Sequence, residues 1–177
     1  MHMTGNIFLV GLMGAGKTTI GKLLAKAMGK TFYDSDQEIE QRTGVNIPLI
    51  FELEGESGFR KREAAVIADL TGLHEVVLAT GGGAVLLKQN RENLSQNGTV
   101  VYLRADVAEL WHRTRNDKNR PLLQTEDPRA KLEQLFAERD PLYREIADII
   151  IDTGRHSVSA ILHQLESQLE LHANAHR

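Results

Sequence analysis

The chain has 177 residues, which is enough for one domain with a sizeable hydrophobic core and short for two. Its 21 Lys and Arg against 24 Asp and Glu give a net charge of −3, which argues against a protein that binds nucleic acid mainly through phosphate contacts. It has no cysteine, and no apolar run is long enough for a membrane span or a signal peptide. We therefore expect a single cytoplasmic domain over 1–177, with its core over 5–171.

Short apolar runs alternate with segments of helical periodicity along the chain. The apolar runs are NIFLVG (6–11), TFYDSD (31–36), VVLATGGG (76–83), TVVYL (99–103) and DIIID (148–152). A helical pattern follows the first run and ends at Gly29, and another starts at Asp106, which with Glu109 has the spacing of a capping box. This alternation predicts βαβ units and a parallel sheet with helices on both faces.

The first strand leads into a glycine-rich loop that precedes a helix. The segment GLMGAGKT (11–18) fits the pattern G-x-x-x-x-G-K-[ST] in the strand–loop–helix context that a P-loop requires. Its glycines let backbone N–H groups point at an anion, and the following helix begins with partial positive charge. Lys17 is expected to reach the β- and γ-phosphates, and Thr18 to bind Mg²⁺. The sequence therefore predicts a nucleoside triphosphate site.

Two carboxylates follow the second strand. Asp34 and Asp36 would lie beside the nucleotide crevice of such a sheet. One could hold Mg²⁺ through water and the other could accept the proton of an attacking hydroxyl, or both could simply cap the next helix.

Other features limit the kind of P-loop protein. A guanine-binding N-K-x-D motif is absent, and the letters DLTG (69–72) close a helical run, so a GTPase is disfavoured. The stretch 113–129 is polar and charge-dense, which predicts a mobile loop inside the domain. The chain length best suits a small-molecule kinase.

At this point the chain resembles the shikimate kinase family, nearly from end to end. The resemblance rests on GLMGAGKTT, FYDSD, GESGFRKRE, ATGGG, RNDKNRPLL and ERDPLYREIAD, in this order. It implies a three-layer α/β/α P-loop fold like that of nucleoside monophosphate kinases, with a five-stranded parallel sheet and a lid at about 113–125. It also implies transfer of the γ-phosphoryl group of ATP to the 3-hydroxyl of shikimate, a step in aromatic amino-acid biosynthesis.

The resemblance assigns roles to individual residues. Asp36 would be the base, while Asp34 and Thr18 would serve Mg²⁺. A segment at about 34–62 would bind the substrate, whose carboxylate Arg60 and Arg139 would hold, since guanidinium groups match two carboxylate oxygens. The other expected substrate contacts are Gly81, Gly82 and Gly83. The expected nucleotide contacts are Gly14, Ala15, Gly16, Lys17, Thr18, Thr19, Arg113, Arg120 and Arg155, of which Lys17 and Arg120 would also be catalytic.

Several alternatives remain open from the sequence. Glu63, three residues after Arg60, could orient that arginine for the substrate, but Arg60 could instead be a solvated helix charge. Arg139 could form a surface pair with Glu138 or Asp140. The glycines at 81–83 could be a flexible turn rather than a backbone close to a ligand. A kinase acting on gluconate or a nucleoside monophosphate, and an ATP-binding switch without an acceptor, are the rival functions. The expected partners are ATP and shikimate, with no nucleic acid, no membrane and no second subunit.

Overall fold

A computed structural model describes residues 3–117 and 120–176, so Lys118 and Asn119 of the predicted lid lie outside the described residues. The strands are β1 (Asn6–Val10), β2 (Thr31–Asp34), β3 (Val76–Ala79), β4 (Gly98–Arg104) and β5 (Ile149–Asp152). The helices are α1 (Lys17–Met28), α2 (Ser35–Thr43), α3 (Ile47–Thr71), α4 (Lys88–Asn97), α5 (Val107–Thr114), α6 (Pro128–Ile146) and α7 (Val158–Ala175). Short 3-10 turns cover Ala84–Leu86 and Pro121–Leu123.

The sheet confirms the predicted architecture. Its strand order is β2-β3-β1-β4-β5, and all four pairs are parallel. Strands β2 and β3 therefore lie on one side of β1 and strands β4 and β5 on the other, so the carboxyl end of β1 is the position at which such sheets open a crevice for ligands. The P-loop follows β1 directly and occupies that crevice.

Burial explains why the strands were recognisable. All five residues of β1 are buried because helices cover both faces of the central sheet. At the sheet edge, β5 alternates between buried and exposed residues. None of the described helices is both long and apolar enough to cross a membrane.

The predicted helix boundaries also hold. Helix α1 ends at Gly29, which has φ 67°, a left-handed conformation that glycine adopts without steric cost. Helix α5 begins after Asp106, whose side chain accepts a hydrogen bond from the Glu109 backbone N–H at 2.9 Å. Helix α3 runs to Thr71, so the letters DLTG do belong to a helix end rather than a nucleotide switch.

Helix α3 is interrupted at Gly55, which has φ 72° and ψ 179°. A non-glycine residue would be strained there, and the helix changes direction at this point. As a result, Ile47 and Phe51 from the first half and Arg60 and Glu63 from the second half line one cavity.

Candidate active site

A cavity of about 410 Å³ opens at the carboxyl ends of β1, β2 and β3. It brings together most of the residues that the sequence singled out. Those lining it are Gly14, Gly16, Lys17, Thr18, Thr19, Asp34, Asp36, Arg60, Gly81, Gly82, Gly83, Arg120 and Arg139. Ala15, Arg113 and Arg155 are not among its lining residues.

The P-loop glycines are required by backbone shape and by space. Gly14 and Gly16 have φ 84° and 96°, which disfavour any side chain. A Cβ atom on Gly14 would also lie 2.7 Å from Thr114 Cγ2, and one on Gly11 would lie 2.5 Å from the Leu103 carbonyl oxygen. The loop therefore packs against α5 and β4 in a shape that larger residues would break.

Lys17 folds back over this loop. Its ammonium group donates to the carbonyl oxygens of Gly11 at 2.6 Å and Leu12 at 2.9 Å. Burial, and next the positive charge of Arg120, lower the pKa of Lys17 to about 7. A bound phosphate would supply the negative charge that favours the ammonium form.

Asp34 fits both interpretations of the acidic pair. Its Oδ1 accepts the backbone N–H groups of Asp36 and Gln37 at 3.0 and 3.2 Å, so it does cap α2. Its Oδ2 accepts a hydrogen bond from the Thr18 hydroxyl at 2.6 Å. This contact places a carboxylate and a hydroxyl together at the mouth of the P-loop, and such oxygen donors suit Mg²⁺.

Asp36 points into the cavity. Its Oδ1 is buried and has no hydrogen-bond partner among the described residues. Burial, and next the negative charge of Glu63, raise the pKa of Asp36 to about 7. A carboxylate whose pKa lies near the working pH is suited to accept a proton.

Arg60 lines the same cavity and is held by two glutamates. Its guanidinium donates to Glu63 at 2.9 Å and to Glu56 at 3.3 Å, and Glu63 is fully buried. The expected Arg60–Glu63 contact across one helical turn is therefore present. Because Glu63 is buried and paired, Arg60 is not a freely solvated helix charge.

Arg139 is buried, with 2% of its surface exposed. The alternative of a surface ion pair with Glu138 or Asp140 is therefore wrong. Its Nε is one of the buried atoms without a partner in the described part of the chain, as are Arg60 Nε and Glu63 Oε2. Unpaired buried polar atoms are costly, and their convergence on one cavity is typical of a site that a polar ligand completes.

The three glycines at 81–83 lie against functional side chains. A Cβ atom on Gly81 would lie 2.7 Å from Asp36 Oδ1, and one on Gly82 would lie 3.4 Å from Arg139 Nη1. A Cβ atom on Gly83 would overlap the guanidinium of Arg60. Gly81 and Gly83 are thus required by space, whereas a Cβ atom on Gly82 would make only an ordinary contact, and the interpretation as a merely flexible turn does not fit.

The remaining predicted arginines differ in their surroundings. Arg120 lines the cavity and pairs with Asp117 at 3.0 Å. Arg113 donates to the carbonyl oxygens of Gly14 and Gly154 at 3.1 and 3.0 Å, so it bridges the P-loop and the loop after β5. The side chain of Arg155 is 96% exposed, and the structure does not bring it to the cavity.

Sequence reasoning missed three buried side chains that hydrogen-bond the backbone around the glycines. They are Ser35, Asn90 and Tyr143. The sequence pattern could not indicate them, because it does not show which backbone group a side chain from a distant segment hydrogen-bonds.

Comparison with known sequences gives consistent matches. Residues 13–170 match the family model for shikimate kinase. The shikimate kinase of Chromobacterium violaceum is 64% identical over 167 residues, which is 94% of this chain and 91% of that protein. The shikimate kinase of Thiobacillus denitrificans is 62% identical over 171 residues, covering 97% and 93% of the two chains.

Solved structures agree. The chain is similar to a shikimate kinase from Acinetobacter baumannii in complex with shikimate, with a TM-score of 0.91, 52% identity and coverage of 93% and 92% of the two chains. A gluconokinase from Sinorhizobium meliloti matches with a TM-score of 0.60 at 18% identity over 97% and 98% of the two chains. At that identity the likeness shows a shared fold only.

Proposed function

Because the chain belongs to the shikimate kinase family, we propose that the described cavity carries out the family's reaction with the residues identified above. The reaction is transfer of the γ-phosphoryl group of ATP to the 3-hydroxyl of shikimate. The observation that carries the assignment is that the buried, unpartnered Oδ1 of Asp36 shares one cavity with the P-loop and with the two acceptor-side guanidinium groups of Arg60 and Arg139.

The P-loop binds the phosphates of ATP. The backbone N–H groups of Gly14 to Thr18 and the start of α1 supply donors and partial positive charge. Lys17 leaves its carbonyl partners and binds the β- and γ-phosphates. Arg120 lines the same cavity, close enough to Lys17 to lower its pKa, and adds positive charge to the transferring group.

Thr18 and Asp34 are the residues that would hold Mg²⁺. Mg²⁺ usually takes one or two protein oxygens together with substrate phosphates and waters, so this hydroxyl–carboxylate pair is a sufficient donor set. When bound, the ion neutralises phosphate charge. Asp34 also fixes the first turn of α2, which keeps Asp36 directed at the acceptor.

Asp36 orients and deprotonates the 3-hydroxyl of shikimate. Arg60 and Arg139 hold the carboxylate of the substrate, and Gly81 to Gly83 lie against its ring. The segment at about 34–62 acts as the substrate-binding part, and the segment at about 113–125 acts as the lid that excludes water. That the chain is monomeric and cytoplasmic stays a prediction from the sequence.

Arg139→Ala tests the acceptor side. We expect the KM for shikimate to rise about 10- to 100-fold, because a charged hydrogen bond to the substrate is lost, while the KM for ATP changes less than about twofold. Steady-state kinetics with each substrate varied in turn measure this. Arg144→Ala is the control, since Arg144 lies on the same helix with its side chain 46% exposed and paired with Asp140. Equal increases of both KM values would contradict a carboxylate contact.

Gly83→Ala tests the requirement for space. Gly83 has φ −91° and ψ 3°, which alanine can adopt, so the substitution acts by pushing the guanidinium of Arg60 aside. We expect the KM for shikimate to rise about tenfold or more with little change for ATP. Gly72→Ala is the control, because a Cβ atom there makes only ordinary contacts, the nearest at 3.5 Å. A Gly83 variant with wild-type kinetics would remove Arg60 from the substrate contacts.

A further inference from the structure

The backbone that carries the three glycines is held by buried side chains from three different helices. We call residues 81–84 the glycine turn. Ser35 of α2, Asn90 of α4 and Tyr143 of α6 are each fully buried, and each bonds one backbone group of this turn. The bonds join Gly81 N–H to Ser35 Oγ (2.8 Å), Tyr143 hydroxyl to Gly82 carbonyl (2.5 Å) and Asn90 Nδ2 to Ala84 carbonyl (2.9 Å).

Small movements of the glycine turn would disturb the cavity. The missing Cβ atoms of Gly81 and Gly83 give Asp36 and Arg60 their room, and the Gly82 backbone lies in ordinary contact range of Arg139, since a Cβ atom there would be 3.4 Å from its Nη1. A shift of a few tenths of an ångström in this backbone would therefore move it against the functional side chains or away from the ligand. The turn's own backbone hydrogen bonds, from Ala84 N–H to the Gly81 carbonyl and from Leu86 N–H to the Gly83 carbonyl, are both 3.1 Å long, and the three side-chain bonds add to them.

Tyr143 is the central member of this arrangement. Its ring packs against Tyr102 with centroids 4.9 Å apart, so the aromatic packing does not depend on the hydroxyl. Burial raises the pKa of the Tyr143 hydroxyl above its usual value, so it remains a donor at any working pH. Tyr143 also follows Arg139 by four residues, so one face of α6 bears both groups.

We propose that Tyr143 is a positioning residue that, together with Ser35 and Asn90, holds the glycine turn in register with Asp36 and Arg139 for acceptor binding. This inference rests on the proposed placement of shikimate against Gly81 to Gly83. The hydroxyl of Tyr143 faces both the Gly82 carbonyl and the Arg139 side chain, with which it also hydrogen-bonds. Tyr143 therefore acts through its neighbours: the hydrogen bond to Gly82 fixes the backbone of the glycine turn, and the contact with Arg139 fixes that guanidinium beside it.

The tyrosine pair offers a matched control. Tyr102 is as buried as its neighbour, and its hydroxyl donates to Asp140 at 2.7 Å, away from the glycine turn. Tyr102→Phe and Tyr143→Phe therefore each remove one buried hydroxyl and one hydrogen bond from the same aromatic cluster. Both variants are expected to lose thermal stability to a similar extent. A difference between their KM values for shikimate would therefore come from the position of the glycine turn and not from a general loss of packing.

The test is steady-state kinetics of the full chain with shikimate and ATP varied in turn, together with the melting temperature of each variant. We expect Tyr143→Phe to raise the KM for shikimate about three- to tenfold and the KM for ATP less than about twofold. Tyr102→Phe should leave both KM values within about twofold. Loss of folded protein alone would lower the apparent kcat without changing either KM.

Two outcomes would overturn the proposal: equal kinetics for the two variants, or equal changes in both KM values for Tyr143→Phe. If Tyr143→Phe does not fold, Ser35→Ala decides, and it should raise the KM for shikimate selectively. Wild-type enzyme and Arg139→Ala run in parallel. If the wild-type enzyme does not phosphorylate shikimate, the proposed function itself is wrong. If the wild type is active and Arg139→Ala behaves as expected, kinetics of Tyr143→Phe that match those of Tyr102→Phe would contradict only the positioning role of Tyr143.

Discussion

Replacing Asp36 by Asn is expected to lower kcat about 10²- to 10⁴-fold, the range that loss of a general base produces, while the KM for ATP changes less than about twofold. The amide keeps the shape of the side chain and a hydrogen-bond acceptor but cannot take the proton of the 3-hydroxyl. The measurement is ADP release at saturating ATP and shikimate. Near-normal turnover would rule out the role of Asp36 as base.

The pH dependence adds a second readout for Asp36. With its pKa at about 7, the carboxylate of the free enzyme is protonated below neutrality, so kcat/KM should fall as the pH falls below about 7. This acidic limb should disappear in Asp36→Asn. A variant that keeps the same limb would assign the titration to a different group.

The Asp36→Asn substitution should raise thermal stability at alkaline pH although it lowers activity. The pKa of Asp36 is raised from 3.8 to about 7 on folding, so its ionisation opposes folding as the pH rises through that interval. Asp36→Asn removes this cost, and the variant should therefore melt at a higher temperature than the wild type at pH 8. The difference should vanish near pH 4. Such a result also shows that the loss of turnover is not a loss of folded protein.

Lys17→Ala is expected to impair both nucleotide binding and the chemical step. The Lys17 ammonium group is positioned over the P-loop. It would contact the γ-phosphate both in bound ATP and in the transition state, where it would stabilise negative charge. We expect kcat to fall about 10²- to 10³-fold and the KM for ATP to rise about tenfold or more. The KM for shikimate should change little, because the acceptor groups lie on other elements.

Lys22→Ala is the matched control for Lys17. Lys22 lies on the same helix α1 but is exposed to solvent. It should retain wild-type kinetics, since an exposed lysine away from the phosphates contributes little. Unchanged ATP kinetics in Lys17→Ala would place the phosphates elsewhere.

The parts of the fold that could be predicted are those fixed by local pattern. The continuous apolar run of β1 and the glycines that follow it gave the strand, the loop and the start of α1 without any tertiary information. The pair Arg60 and Glu63 was also predictable, because a spacing of three residues on a helix brings side chains together. The roles of the other site residues and the reaction itself were predicted from the resemblance of the ordered motifs to the shikimate kinase family.

The parts that could not be predicted depend on contacts between distant segments. That Gly83 makes room for Arg60 follows from α3 packing against the turn after β3, and neither motif contains that information. The burial of Arg139 likewise depends on where α6 crosses the sheet, so its neighbours Glu138 and Asp140 suggested a surface pair. Arg155 was expected among the nucleotide contacts, but its side chain is 96% exposed and does not line the cavity.

The most direct test of the central claim is ADP release with ATP and Mg²⁺ in the presence of shikimate, gluconate, AMP or CMP. The arrangement of Asp36, Arg60 and Arg139 predicts strong stimulation by shikimate and none by the other three acceptors. Stimulation by gluconate or a nucleoside monophosphate, with none by shikimate, would leave the P-loop kinase fold standing. It would contradict the assignment of these three residues to shikimate.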